Sequence, residues 1–146
     1  MHISIADQVN DELQAVLKRL IPQLTTSNPA PTYGELSSFQ ADPSSHLILA
    51  RWPDQEGPVV GMLTLVVYRV PTGIRAVIED VVVDRAHRGK GVGEALLKEG
   101  LQRAAKMGAR AVSLTSNPRR VEANRLYRKM GFALRETNVY QYRLRE

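Results

Sequence analysis

The 146 residues are 43% hydrophobic and 24% charged, with a net charge of +5 at pH 7, the balance of an ordinary globular protein rather than a disordered or fibrous one. No apolar run reaches the roughly 18 residues that a membrane span requires, and Asp7, Asp11 and Glu12 stand where a signal peptide would be apolar. The absence of cysteine excludes disulfides, thiolate metal sites and a cysteine nucleophile. One domain over residues 1–146 and a cytoplasmic location are the expectations.

The charge is unevenly placed: residues 1–73 hold 4 Lys+Arg against 7 Asp+Glu, and residues 74–146 hold 16 against 8. A basic half suits a polyanionic partner. No zinc-finger or RNP-type pattern accompanies it, so a phosphorylated cofactor explains the charge more economically than nucleic acid. His2, His46 and His87 have no metal-ligand spacing, and no metal site is expected. Ser113 and Ser116 lack the context of a serine nucleophile.

Residues 2–5 alternate and read as a first strand. Asp7 is a candidate cap for a helix over residues 10–21, where Leu13, Val16, Leu17, Leu20 and Ile21 recur at helical spacing and Pro22 marks the end. Residues 25–45, rich in Pro, Ser and Thr, read as loop with a short helix around residues 33–40. Strands follow over residues 47–51 and 59–69, separated by turn-forming residues 53–58, and Pro71-Thr72-Gly73 turns the chain into a strand over residues 77–83. Such short connections favour antiparallel pairing.

A helix with Leu96, Leu97, Leu101 and Ala104 on one side then ends at Lys106 and Gly108. Residues 111–115 form a short strand that this crossover makes parallel to residues 77–83. Ser116-Asn117-Pro118 opens a last helix with Ala123, Leu126, Tyr127 and Met130 on one face, closed by Gly131. Residues 132–134 and 139–144 are expected to complete the sheet.

Between the strand and the central helix lies Arg88-Gly89-Lys90-Gly91-Val92-Gly93. Glycines leave the backbone bare, the helix start offers unpaired N–H groups and a partial positive charge, and Arg88 and Lys90 add full charges, so the turn is a seat for an anion. A P-loop would need Lys and then Ser or Thr after its last glycine, where this chain has Glu94, and the spacing Gly89-x-Gly91-x-Gly93 departs from the dinucleotide fingerprint. Arg88-x-x-Gly91-x-Gly93 does resemble the acyl-CoA motif of the GNAT superfamily of N-acetyltransferases, in which Gln or Arg precedes Gly and then Gly or Ala at this spacing. Residues 124–132, Asn-Arg-Leu-Tyr-Arg-Lys-Met-Gly-Phe, resemble in shortened form the family's second pattern, with Tyr127 in its tyrosine position. Residues 78–83 are faintly similar to the corresponding strand of glucosamine-6-phosphate N-acetyltransferases.

The resemblance implies an α+β fold: a mixed, mostly antiparallel sheet whose central parallel strands splay apart, flanked by helices, with acetyl-CoA as cosubstrate in the opening. It implies that backbone groups of Val81, Val82 and Val83 pair with the pantetheine arm, that the amides of Gly89, Lys90, Gly91, Val92, Gly93 and Glu94 cradle the pyrophosphate beside Arg88, and that Asn117 and Asn124 bond the arm or serve merely as turn residues. A bulge near residues 80–83 would aim one N–H, that of Val81, at the thioester oxygen. Residues 25–45 would lie over the acceptor site.

A primary amine with a pKa of about 10.4 arrives protonated, so a base is needed. Glu79 is the candidate, against a structural ion pair with Arg75. Strand alternation sets Glu79 and Asp80 on opposite faces, so one of them at most looks into the cleft. Tyr127 is the candidate acid for the departing thiolate, or a core aromatic. The expected activity is direct acetyl transfer to a primary amine of a small molecule or peptide; a catalytically silent CoA-binding regulatory domain is the alternative. No nucleic acid or membrane partner is expected, and a homodimer stays open.

Overall fold

A computed structural model describes residues 1–145. The chain divides into two compact units, Met1–Thr115 and a smaller one from Ser116 onward.

The larger unit is built on a five-stranded sheet in the order β1 (His2–Ile5), β2 (Ser45–Arg51), β3 (Val59–Val70), β4 (Gly73–Val83) and β5 (Val112–Ser113). β1 to β4 pair antiparallel, and β5 joins β4 in parallel after the helical crossover, as the connection lengths require. Its helices are α1 (Asp11–Leu24), α2 (Tyr33–Ala41) and α3 (Val92–Lys106).

β3 is buried almost without interruption because both faces of the sheet are covered. Met62 enters the cluster formed with Leu13, Val16, Leu17, Leu20 and Ile21 of α1, together with Leu36, Leu47, Leu49 and Val82. Its neighbours Gly61 and Leu63 face α3. A methyl added at Gly61 would stand 3.0 Å from Val92 and 3.1 Å from Leu96, and one at Gly100 would stand 3.4 Å from Leu63. Each fully buried Leu or Ile in these layers is worth about 1.5–3 kcal/mol of transfer free energy.

α1 starts one residue later than its pattern suggests and is capped by Asn10, whose side chain accepts the Leu13 amide at 2.8 Å, rather than by Asp7. Pro22 lies inside its last turn instead of ending it. A proline here removes a single intrahelical bond, and the burial of Leu20 and Ile21 holds the turn in place. α2 opens with a reciprocal cap: the Glu35 amide donates to Thr32 Oγ1 and the Thr32 amide donates to Glu35 Oε1, at 3.1 and 3.0 Å.

The smaller unit holds α4 (Val121–Lys129), which begins after Pro118 rather than at residue 116. Asn117 explains the delay: its side chain accepts the Arg119 amide at 2.9 Å and its carbonyl accepts the Arg120 amide at 3.0 Å, closing a turn before the helix can start. The strands expected at residues 132–134 and 139–144 do not form. Leu134, Val139, Tyr140, Tyr142 and Leu144 are all exposed. A strand pattern needs a partner edge to become a strand, and β5 carries no second strand partner among the described residues.

Candidate active site

β4 is regular up to Glu79 and then changes register. Glu79 stands opposite Thr64 and Val82 opposite Met62, so Leu63 faces two residues, Asp80 and Val81. This is the expected β-bulge, and Asp80 carries its strain with φ of 50°, a conformation that Asp tolerates better than most side chains. The bulge resets the alternation that sequence reading assumed. Directly opposed residues share a face, so Glu79 and Val82, three apart, lie on the α1 side with Thr64 and Met62. Asp80 reaches the same side, where it lines a cavity with Met62 and Thr64. The two carboxylates are therefore neighbours rather than residents of opposite faces.

Both are exposed. The Glu79 carboxyl is pushed above the usual carboxylate range, chiefly by partial desolvation and secondly by the negative charge of Asp80. The structural ion pair with Arg75 is not formed: Arg75 donates to Thr72 Oγ1 at 3.0 Å. Among the described residues no basic side chain pairs with either Glu79 or Asp80.

β5 ends at Ser113, opposite Val77. From Ile78 onward the β4 edge away from β3 has no strand beside it among the described residues, an opening of the kind the family resemblance implies. Along this stretch Val81 and Val83 are half-buried and Val82 is core. The Val83 carbonyl accepts Arg88 Nε at 3.2 Å, which ties the strand end to the turn that follows.

That turn passes through a short 3-10 segment, Arg85–His87, capped by Asp84. Gly89 and Gly91 then take φ of 79° and 82°, a conformation that disfavours any residue with a Cβ, and nothing lies within 4 Å of where a Cβ would be. Gly91 caps α3 with no side chain of its own, and the first bond of the helix is the Ala95 amide to the Gly91 carbonyl at 3.1 Å. The amides of Val92 and Gly93 accordingly stand ahead of the intrahelical ladder. The Val92 side chain is core, while Arg88, Gly89, Lys90 and Gly91 are exposed. Lys90 Nζ lies 5.2 Å from the Trp52 ring centroid, so one of the two cations is held on an aromatic face. Open space above bare backbone, first-turn amides and flanking cations fit a diphosphate.

The cavity beside the bulge lies within the larger unit, walled by Leu17 and Ile21 of α1, Leu36 and Phe39 of α2, and Met62 and Thr64 of β3. Its outer wall comes from residues 25–41, the stretch expected over the acceptor site. Asp80 is the residue that sequence reasoning missed here, because only a bulge could turn it to this face.

In the smaller unit Tyr127 is buried, its ring edge-to-face with Phe132 at 5.8 Å. Burial raises its phenol pKa, with nearby Arg120 opposing, so the group is a proton carrier at neutral pH. Asn124 Nδ2 donates to the carbonyls of Asn117 and Arg120 at 2.9 and 2.7 Å. Both asparagines thus hold the turn before α4.

No group of His, Cys, Asp or Glu that could hold a metal occurs among the described residues, and none of their helices is long and apolar enough to cross a membrane.

No curated protein sequence matches the chain. Among solved structures, a transcriptional regulator from Bacillus halodurans is 26% identical, with a TM-score of 0.76 over 97% of this chain and 99% of that one. The glucosamine-6-phosphate N-acetyltransferase of Arabidopsis thaliana is 20% identical, with a TM-score of 0.77 over 97% and 99%. An aminoglycoside acetyltransferase from an uncultured soil metagenomic sample is 21% identical, with a TM-score of 0.79 over 99% and 97%. At such identities the latter two share the fold alone. The model of the acetyltransferase (GNAT) family matches residues 13–132, and the chain belongs to that family.

Proposed function

We propose that this chain is an acetyl-CoA-dependent N-acetyltransferase acting on a primary amine of a small molecule or peptide, with residues 1–146 as one catalytic domain and the cytoplasm as its location. The observation that carries the reading is the bulge at Asp80–Val81. It brings two carboxylates together on one face, next to a strand edge with no strand beside it among the described residues and, a few residues on, a glycine turn at a helix start.

In this reading the backbone amides from Gly89 to Glu94, with Arg88 and Lys90, receive the diphosphate, and the β4 edge at Val81, Val82 and Val83 pairs with the pantetheine arm as an added strand would. The Val81 N–H donates to the thioester oxygen as negative charge develops there. Glu79 takes the proton of the incoming ammonium, directly or through a water, and its raised pKa makes it a better base than an ordinary carboxylate. The amine nitrogen then attacks the carbonyl carbon, the carbon–sulfur bond breaks, Tyr127, assigned by its motif position, gives its proton to the departing thiolate, and the second proton shed by the nitrogen as the amide forms returns through solvent to the phenolate. Asn117 and Asn124 hold the turn that carries this motif.

The test is free-thiol release from acetyl-CoA across panels of primary amines, paired with calorimetric titration of CoA. Release with at least one amine is the expected result. CoA binding with no release across the panel would instead mark a regulatory CoA-binding domain.

A further inference from the structure

The cavity beside the bulge is about 400 Å3, at the lower end of the range of small-molecule sites, roughly 300–1,000 Å3. Most of its lining is Leu, Ile, Pro, Ala, Phe and Met. It holds two charged groups, Glu35 and Asp80, and no Lys, Arg or His. Glu35 is committed to the start of α2, where its carboxylate accepts the Thr32 amide at 3.0 Å. Asp80 has no hydrogen-bond or ion-pair partner among the described residues, and the same is true of the Thr64 hydroxyl beside it.

These features select by charge and by polarity. A phosphorylated or carboxylated acceptor would bring a second anion into a space with two carboxylates and no cation, and would lose the hydration of its own charge without a partner. A polyhydroxylated acceptor would leave several hydroxyls facing hydrocarbon, each unmade hydrogen bond costing a factor of about five or more in affinity. An ammonium on an apolar chain suits most of the lining: its charge meets Asp80, one N–H can reach Thr64, and its carbons displace water from Leu17, Ile21, Leu36, Phe39 and Met62, with Thr25 and Asn28 the remaining polar residues.

We propose that the acceptor is an apolar primary amine, with Asp80 as the anchor for its ammonium and the α1–α2–β3 cavity as the seat of its hydrocarbon part. This rests on the acetyl-transfer reading above and narrows its substrate class. Asp80 lies beside Glu79, so the anchor would deliver the ammonium to the base.

Propylamine, butylamine, pentylamine and hexylamine form the first arm of the test, with 2-phenylethylamine, glucosamine and glucosamine 6-phosphate as comparators. kcat/KM should rise about fourfold with each added CH2, and glucosamine 6-phosphate should be the poorest acceptor. Asp80→Asn keeps a side chain that accepts the left-handed backbone, and should raise KM for hexylamine at least tenfold while leaving CoA affinity unchanged. A flat chain-length series, a preference for glucosamine 6-phosphate, or an unchanged KM in Asp80→Asn would overturn the assignment.

Hexylamine binding by calorimetry, in the presence of CoA, separates the two claims. Binding that Asp80→Asn removes, with no thiol release from any amine, would sink the transfer reading and uphold the amine site. Thiol release confined to the sugars would uphold transfer and sink the apolar-amine site.

Discussion

The turn at residues 88–93 and the cavity under Asp80 lie only a few residues apart along the chain, yet they are made from different material. The turn is backbone: its glycines are chosen for what they lack, and the groups offered to an anion are amides that every residue but proline has. The cavity is side chain, assembled from α1, α2, β2, β3 and β4. A backbone site suits the diphosphate shared by all acyl-CoA molecules, whereas a side-chain site can be repainted for each acceptor. A damaged turn should therefore cost cosubstrate binding whatever the acceptor, and a damaged cavity should change acceptor preference and leave CoA untouched.

The largest effect is expected from Gly93→Asp, which places a carboxylate in the first turn of α3. A charge there suits the helix itself, so the fold should persist while CoA affinity falls at least about 100-fold by calorimetry. Unchanged affinity would move the diphosphate elsewhere. Tyr127→Phe should lower kcat by about 100-fold, within the range of general acid catalysis, with CoA affinity nearly kept; an unaltered kcat at saturating substrates would remove the phenol from the acid role.

Glu79→Gln separates proton transfer from binding. Because the Glu79 pKa is raised, the acidic limb of the pH–rate profile should lie above the ordinary carboxylate range and should disappear in the variant. A retained limb would assign the base to another group. The same shift predicts a stability change of the opposite sense. A carboxyl whose pKa is higher folded than unfolded favours folding most in its protonated form and opposes it once ionised, so Glu79→Gln should raise Tm slightly at pH 7 and not at pH 3. The smallest effect belongs to Lys90→Ala, which removes a cation already resting on Trp52 and should weaken CoA binding about three- to fivefold.

The contrast between backbone and side-chain sites also governs what the sequence could disclose. β1 to β4, α1 and α3 follow from hydrophobic spacing and turn residues, and the anion seat follows from glycine spacing, because each is encoded within a short continuous stretch. The cavity brings together residues 17 to 80, and no local pattern relates Leu17 to Met62 or Asp80. Alternation separates Glu79 from Asp80 because it is a rule for regular strands, and the bulge that brings them to one face reflects the pairing of β4 with β3, a property of two segments together. Pro22 illustrates a tertiary override: burial of its neighbours outweighs one lost hydrogen bond. Residues 139–144 have the alternation of a strand and none of its pairing, since pattern supplies one edge of a ladder and the fold must supply the other.

The most direct measurement is a pair of calorimetric titrations, CoA against pantetheine, which keeps the arm and lacks the diphosphate. If the turn between Arg88 and Glu94 is the anion seat, CoA binds and pantetheine binds at least about 100-fold more weakly, with the gap closing in Gly93→Asp. Equal affinities for the two ligands in the unaltered protein would contradict the account.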